Sequence, residues 1–231
     1  TPTPSQKNGF FSLKYINDAI KNIGLVLKKK KNYHLVVIVS TVMPGSTDKI
    51  KNLLEKYSGK ICGSDFGLCY NPEFIALGSV ILNLLNPDFI LIGESDKKSG
   101  DILEKFYGTY CDNKPKIARM NFVNAELAKI SVNTFITTKI SYANMLAEIC
   151  EKLPGGNVDT VTEAIGLDSR IGKKYFKGGS AFGGPCFPRD NIAFISLAKR
   201  LKSVSSIPQA THNTNLRQLK RLTDKVLQYF K

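Results

Sequence analysis

The sequence is poor in metal-binding side chains. It has two histidines, His34 and His212, in unrelated settings, and five cysteines with no C-x-x-C pair among them. A zinc site therefore has almost no ligands to draw on. An odd cysteine count without paired spacing argues against a disulfide framework and for a reducing compartment, so the cytoplasm is the expected location. Long apolar runs are also missing. The longest, such as Leu35–Val39, are strand-sized, and no membrane span is expected. No secretory leader is visible, the first residue is not Met, and Thr1-Pro2-Thr3-Pro4 reads as loop from inside a longer protein. Acidic residues are scarce: 19 against 33 Lys and Arg, a net charge of +14. That excess fits a Lys-rich surface, an anionic ligand or nucleic acid. The basic residues are scattered, with short clusters at Lys28–Lys31 and Arg170–Lys177 and no nucleic-acid-binding motif, so nucleic acid is the weakest of the three.

What is present is an ordinary globular composition. With 231 residues, 42% apolar and 23% charged, the chain can bury a core as one large domain or two small ones. Leu13, Ile16, Ile20, Ile23 and Leu27 mark one buried helix stripe over about residues 12–30. Leu35–Val39 is a mostly β-branched run expected as a strand buried on both faces. A loop holding Pro44 and Gly45 leads to a helix carrying Ile50, Leu53, Leu54 and Tyr57. Phe66–Tyr70 and Phe89–Gly93 read as two more strands, and about residues 97–110 as a helix. Strands alternating with helices predict a parallel α/β layer, here of three strands with one sheet face left uncovered. Past Lys116 the pattern turns helical: a long helix from about Asn124 to Cys150 without Gly or Pro, then helices near Val158–Ile165, Arg189–Leu201 and His212–Phe230. The expected division is residues 1–118, part of a Rossmann-like α/β domain, and residues 119–231, an all-helical domain. No G-x-G-x-x-G dinucleotide fingerprint occurs among the eighteen glycines.

The most informative stretch is Gly183-Gly184-Pro185-Cys186-Phe187-Pro188-Arg189-Asp190. Two glycines allow a tight turn or a close backbone approach, and Pro188 suits a first helical turn. Cys186 would then sit at a helix N-terminus, a position that favours a nucleophilic thiolate over a buried structural cysteine. Cys62, Cys69, Cys111 and Cys150 lie in apolar or helical settings and read as packing residues. Asp190, one helical turn after Cys186, could face the same site or simply complement the helix dipole. Lys129 and Asn133 are four apart on the long helix, hence on one face. Together they could stabilise an oxyanion or move a proton, or belong to a solvated stripe.

Five ordered blocks resemble the nucleotide-sugar 6-dehydrogenases, the UDP-glucose/GDP-mannose dehydrogenase family. They are Ser40-Thr41-Val42 with Pro44-Gly45; Asn71-Pro72-Glu73-Phe74; Asn86-Pro87-Asp88 to Gly93; Glu126 through Asn133; and Asp168 through Asp190. Asn215 and Gln218 look like the family's N-x-x-Q. The resemblance implies NAD-dependent oxidation of a sugar C6 hydroxyl to a carboxylate in two hydride transfers. It implies that Cys186 forms a thiohemiacetal and then a thioester that water hydrolyses. By the same resemblance Lys129 and Asn133 stabilise charge on oxygen, while Asp190, Thr41 and Glu73 serve the hydrolytic step. Phe74, Arg170, Lys177, Phe182 and Gly183 match substrate positions, Arg170 reaching the neighbouring subunit's substrate. Thr3, Ser40, Thr41 and Arg189 match cofactor positions. The implied partners are a nucleotide sugar, UDP-glucose by the Ala164–Gly172 stretch, and a second copy of the chain packed through the long helix.

The departures are specific. Leu77 stands where the family shows the second acid of E-F-x-x-E, and Arg189 where lysine is usual, which keeps the charge but not the geometry. The family's first βαβ unit and its C-terminal nucleotide-binding domain are not among these residues. The 231 residues alone are therefore expected to bind NAD weakly and to turn over little or no substrate. The alternative to an enzyme is a shortened, non-catalytic relative that pairs with or regulates a full-length dehydrogenase.

Overall fold

The computed structural model describes residues 1–76 and 78–230. The chain forms two compact units, Thr1–Lys129 and Ile130–Lys231. In the first, α1 (Lys14–Lys29), β1 (His34–Ile38), α2 (Ser46–Ser58), β2 (Phe66–Tyr70), α3 (Val80–Leu85), β3 (Phe89–Glu94), α4 (Lys97–Tyr107) and β4 (Lys116–Met120) precede the start of α5 (Phe122–Cys150). The second holds the rest of α5, then α6 (Val158–Gly166), α7 (Phe187–Arg200) and α8 (Ser206–Tyr229). An α/β layer followed by helices is thus the observed architecture.

The sheet departs from expectation in two ways. Among the described residues it has four strands, in the order β1-β2-β3-β4. β1–β2 and β3–β4 are parallel, but β2–β3 is antiparallel, with Cys69 opposite Glu94 and Tyr70 opposite Gly93. A parallel return requires a crossover helix packed on the sheet. Among the described residues the only helix between β2 and β3 is the six-residue α3, which buries no side chain. The overlooked β4 carries Lys116 and Arg119 within five residues, so no apolar run announces it.

Both sheet faces are covered, contrary to the expectation of a bare one. Ile16, Ile20 and Leu27 of α1 and Ile50 and Leu54 of α2 pack on Val36, Ile38, Phe66, Leu68, Tyr70 and Leu91, with Phe122 and Ala125 of α5 closing the same core. Leu103 and Tyr107 of α4 pack on Cys69, Ile90 and Ile92 from the other side. β2 is buried along its whole length, whereas in β1 only Val36 and Ile38 are fully buried and Val39 lies beyond the strand, 47% exposed. At Ile23 the expected stripe of α1 gives way to Gly24, because a Cβ there would lie 2.6 Å from Tyr57 Cβ; the glycine sets the α1–α2 approach.

α5 blurs the usual amphipathic pattern, with Phe122, Ala125, Ile130, Ala143 and Ala147 buried beside polar residues. Its buried side includes Glu126, Lys129, Asn133, Thr134, Thr137, Ser141 and Asn144, while Phe135, Tyr142, Met145 and Ile149 are exposed. In the second unit, Arg217 of α8 meets Glu148 of α5 at 2.6 Å, and Arg221 and Lys225 both reach Glu151. Asn191 of α7 donates to the Pro208 carbonyl of α8 at 2.9 Å. Among the described residues no helix is long and apolar enough to cross a membrane.

Candidate active site

In the first unit, two groups of the expected residues gather. Thr3 Oγ1 donates to the Thr41 carbonyl at 2.9 Å, and Ser40 Oγ donates to the Thr1 carbonyl at 2.7 Å. These residues stand just past the carboxyl end of β1, where ligands of α/β sheets bind. The second group is Lys129, Glu73 and Phe74. The Lys129 ammonium donates to the Glu73 carbonyl and lies 4.2 Å from the centre of the Phe74 ring. Burial raises the Glu73 carboxyl above the ordinary glutamate range, and the Lys129 charge pulls it partly back. Leu77 lies outside the described residues.

Glu126, which the sequence offered only as part of a motif block, is the anchor here. It is fully buried and accepts from Gly45 N–H at 2.6 Å, Thr47 N–H at 2.7 Å and Thr47 Oγ1 at 2.7 Å. Gly45, the N-cap of α2, has no side chain to cap with, so a carboxylate from α5 supplies the negative group that a helix N-terminus favours.

In the second unit, Cys186 is the N-cap of α7, exposed, with Pro188 in the first turn, as expected from the sequence. Gly184 precedes it at φ +80°, a conformation that favours glycine. Asp190, fully buried, has both oxygens engaged. Oδ2 accepts from Asn133 Nδ2 at 2.6 Å, while Oδ1 accepts from Arg189 Nε and Nη2, each at 2.9 Å. Asn133 is thereby held by a charge-assisted bond. Lys129 and Asn133 are 6% and 9% exposed, which removes the solvated-stripe reading.

Lys177, Phe182 and Gly183 line an open cleft of about 420 Å³ together with Ile140, Tyr175, Gly179 and Phe187. Phe187 follows Cys186 directly in the chain and stands edge-on to Phe182, ring centres 6.5 Å apart. Arg170 is not among the lining residues. Its side chain is exposed and paired with Asp168 at 2.6 Å. The cleft wall is held by three carboxamides: Asn215 and Gln218 of α8, which the sequence offered only as a motif match, and Asn144 of α5, which sequence reasoning missed because an isolated Asn in a helix carries no motif.

Residues 1–111 match the NAD binding domain, and residues 123–217 the central domain, of the UDP-glucose/GDP-mannose dehydrogenase family. The chain is 38% identical to a UDP-glucose 6-dehydrogenase of Rickettsia bellii over 97% of its own length and 50% of that protein's. Its fold superposes with a TM-score of 0.85 on a UDP-glucose dehydrogenase from Pyrobaculum islandicum, at 34% identity over 93% of this chain and 48% of that one. A GDP-mannose dehydrogenase from Pseudomonas aeruginosa follows at 0.70, with 32% identity over 99% and 52%. The chain spans about half the length of the curated relatives it matches. With both domain matches in chain order over a shared fold, the chain belongs to the UDP-glucose/GDP-mannose dehydrogenase family.

Proposed function

We propose that the protein oxidises the C6 hydroxyl of a nucleotide sugar, UDP-glucose by preference, to the carboxylate through Cys186. One observation carries this reading: an exposed thiol at the start of α7, with Asp190 one turn on and bonded to Asn133. A thiol suits the chemistry because its adduct with an aldehyde can lose hydride to become a thioester, a good acyl donor to water.

NAD, when bound, supplies the hydride acceptor. The residues here fit one end of it. Thr3, Ser40 and Thr41 would hold it at the carboxyl end of β1, where the Thr41 hydroxyl has no protein partner among the described residues.

Cys186 Sγ adds to the C6 carbon of the aldehyde, and the carbonyl oxygen takes up the negative charge. Lys129 and Asn133, one turn apart on α5, stabilise that charge. Asp190 keeps the Asn133 amide from rotating, and Arg189 holds Asp190. Glu73, with its carboxyl shifted upward by burial, and Thr41 serve the water that cleaves the thioester. Phe74, Phe182, Gly183, Lys177 and, from a second copy, Arg170 hold the substrate. That second copy packs on α5, whose exposed Phe135, Tyr142, Met145 and Ile149 recur on one face at coiled-coil-like spacing.

The test is NADH formation from UDP-glucose and NAD by the protein at its natural length. The expected yield is two NADH per sugar, abolished in Cys186→Ala. Absence of turnover, with stable folding, would favour the non-catalytic partner instead.

A further inference from the structure

The wall of the cleft, Gly179 to Phe182, is an irregular segment whose backbone is paired by side chains. Asn144 accepts from Gly179 N–H at 2.8 Å and donates to the Ser180 carbonyl at 3.2 Å. Asn215 takes both groups of one residue, accepting from Phe182 N–H at 2.8 Å and donating to the Phe182 carbonyl at 3.0 Å. Gln218 donates to the Gly179 carbonyl at 2.6 Å, while its own oxygen accepts from Arg221 at 3.3 Å. A carboxamide offers a donor and an acceptor side by side, as a peptide group does. Three of them, from α5 and α8, stand in for an absent neighbouring strand.

The opposite side of the segment is open. A Cβ on Gly179 or on Gly183 would meet nothing within 4 Å, and Tyr175, Lys177 and Phe187 flank that side. Glycine pairs at Gly178-Gly179 and Gly183-Gly184 bracket the segment, so without the amides it would spread over many conformations. We propose that Asn144, Asn215 and Gln218 are positioning residues: they hold the cleft wall in its ligand-binding shape beforehand, and so set affinity for the sugar nucleotide without touching it or altering the chemistry at Cys186. The proposal rests on the functional reading above. If the wall is competent only part of the time, apparent affinity falls in proportion to that fraction.

The experiment follows alkylation of Cys186 by iodoacetamide, read on the Cys186 peptide by mass spectrometry, in the natural-length protein titrated with UDP-glucose. Asn215→Asp keeps the size and the acceptor but loses the donor to Phe182; Gln218→Glu does the same at Gly179. The expected result is protection of the wild type, with the midpoint raised about tenfold in each variant. Ligand-free alkylation should stay within about twofold, and the Gly179 and Phe182 amides should exchange faster in the variants. In turnover, KM for the sugar should rise with kcat unchanged. An unchanged midpoint, or a fall in kcat matching the rise in KM, overturns the clamp while the functional reading stands. Failure of UDP-glucose and of GDP-mannose to protect the wild type overturns the functional reading, and the clamp's role with it.

Discussion

The Asn133–Asp190 contact gives a quantitative test of how the second unit holds its candidate catalytic groups. Asp190→Asn keeps the shape but removes the charge from a side chain 1% exposed, and places a donor opposite Asn133 or Arg189. Net worth per bond to a charged group is about 1.5–3 kcal/mol, and three such bonds converge on this carboxylate. Arg189 retains 22% exposure, so water recovers part of its share. The expected loss for Asp190→Asn is therefore about 3 kcal/mol. Asn133→Ala removes one of the three bonds and leaves a small cavity, for about 2 kcal/mol. Because the two changes share a bond, the double variant should lose only about 3.5 kcal/mol, a coupling of about 1.5 kcal/mol. Urea unfolding of the four proteins at pH 7, followed by circular dichroism, measures it. A coupling below about 0.5 kcal/mol would refute the claim that Asp190 holds Asn133.

Three further outcomes are expected. Glu126→Ala strands three donors at the start of α2 and should cost about 3–4 kcal/mol in urea unfolding; a loss under about 1 kcal/mol would show the cap to be dispensable. Burial raises the Glu73 pKa above its ordinary 4.5, so its neutral form is the one folding favours. The stability this gives is complete below that ordinary value and is lost as pH rises through the raised one. Glu73→Gln, neutral throughout, should thus gain on the wild type between pH 4 and pH 7, and an opposite trend would contradict the assigned shift. Phe135→Glu, at a side chain 67% exposed, should convert a dimer to monomer by light scattering while circular dichroism keeps the native helix content. Equal masses for the two proteins would count against pairing through α5.

The sequence made the helices other than α3 and the motif loops legible, but not the sheet's connectivity. α1, α2 and α7 carry apolar periodicity or turn residues that physics reads locally. The Cys186 position at the start of α7 followed from Gly184 and Pro188 alone. The antiparallel β2–β3 pairing depends on α3 failing to pack across the sheet, and an uninterrupted Val80-Ile81-Leu82 run does not reveal that. α5 was legible only as a stretch without Gly or Pro, because its buried side mixes polar with apolar residues and its exposed side carries apolar ones. The roles of Glu126, named only within a motif block, and of Asn144 were not legible either. Their partners, Thr47 and Ser180, are 79 and 36 residues away, and no local spacing connects them.

α5 also bears on how this protein can be divided, in the laboratory or in evolution. Its first turns belong to one unit and the remainder to the other. A fragment ending at Asn121 would forfeit Phe122 and Ala125 from the sheet's core and Glu126 from the start of α2. A fragment beginning at Ile130 would start with raw helical N–H groups in place of those turns. The two units are therefore poor candidates for swapping as cassettes. A crossover that spares the sheet's core and the start of α2 must fall inside α5 past Glu126, so the upstream turns of that helix travel with their own sheet.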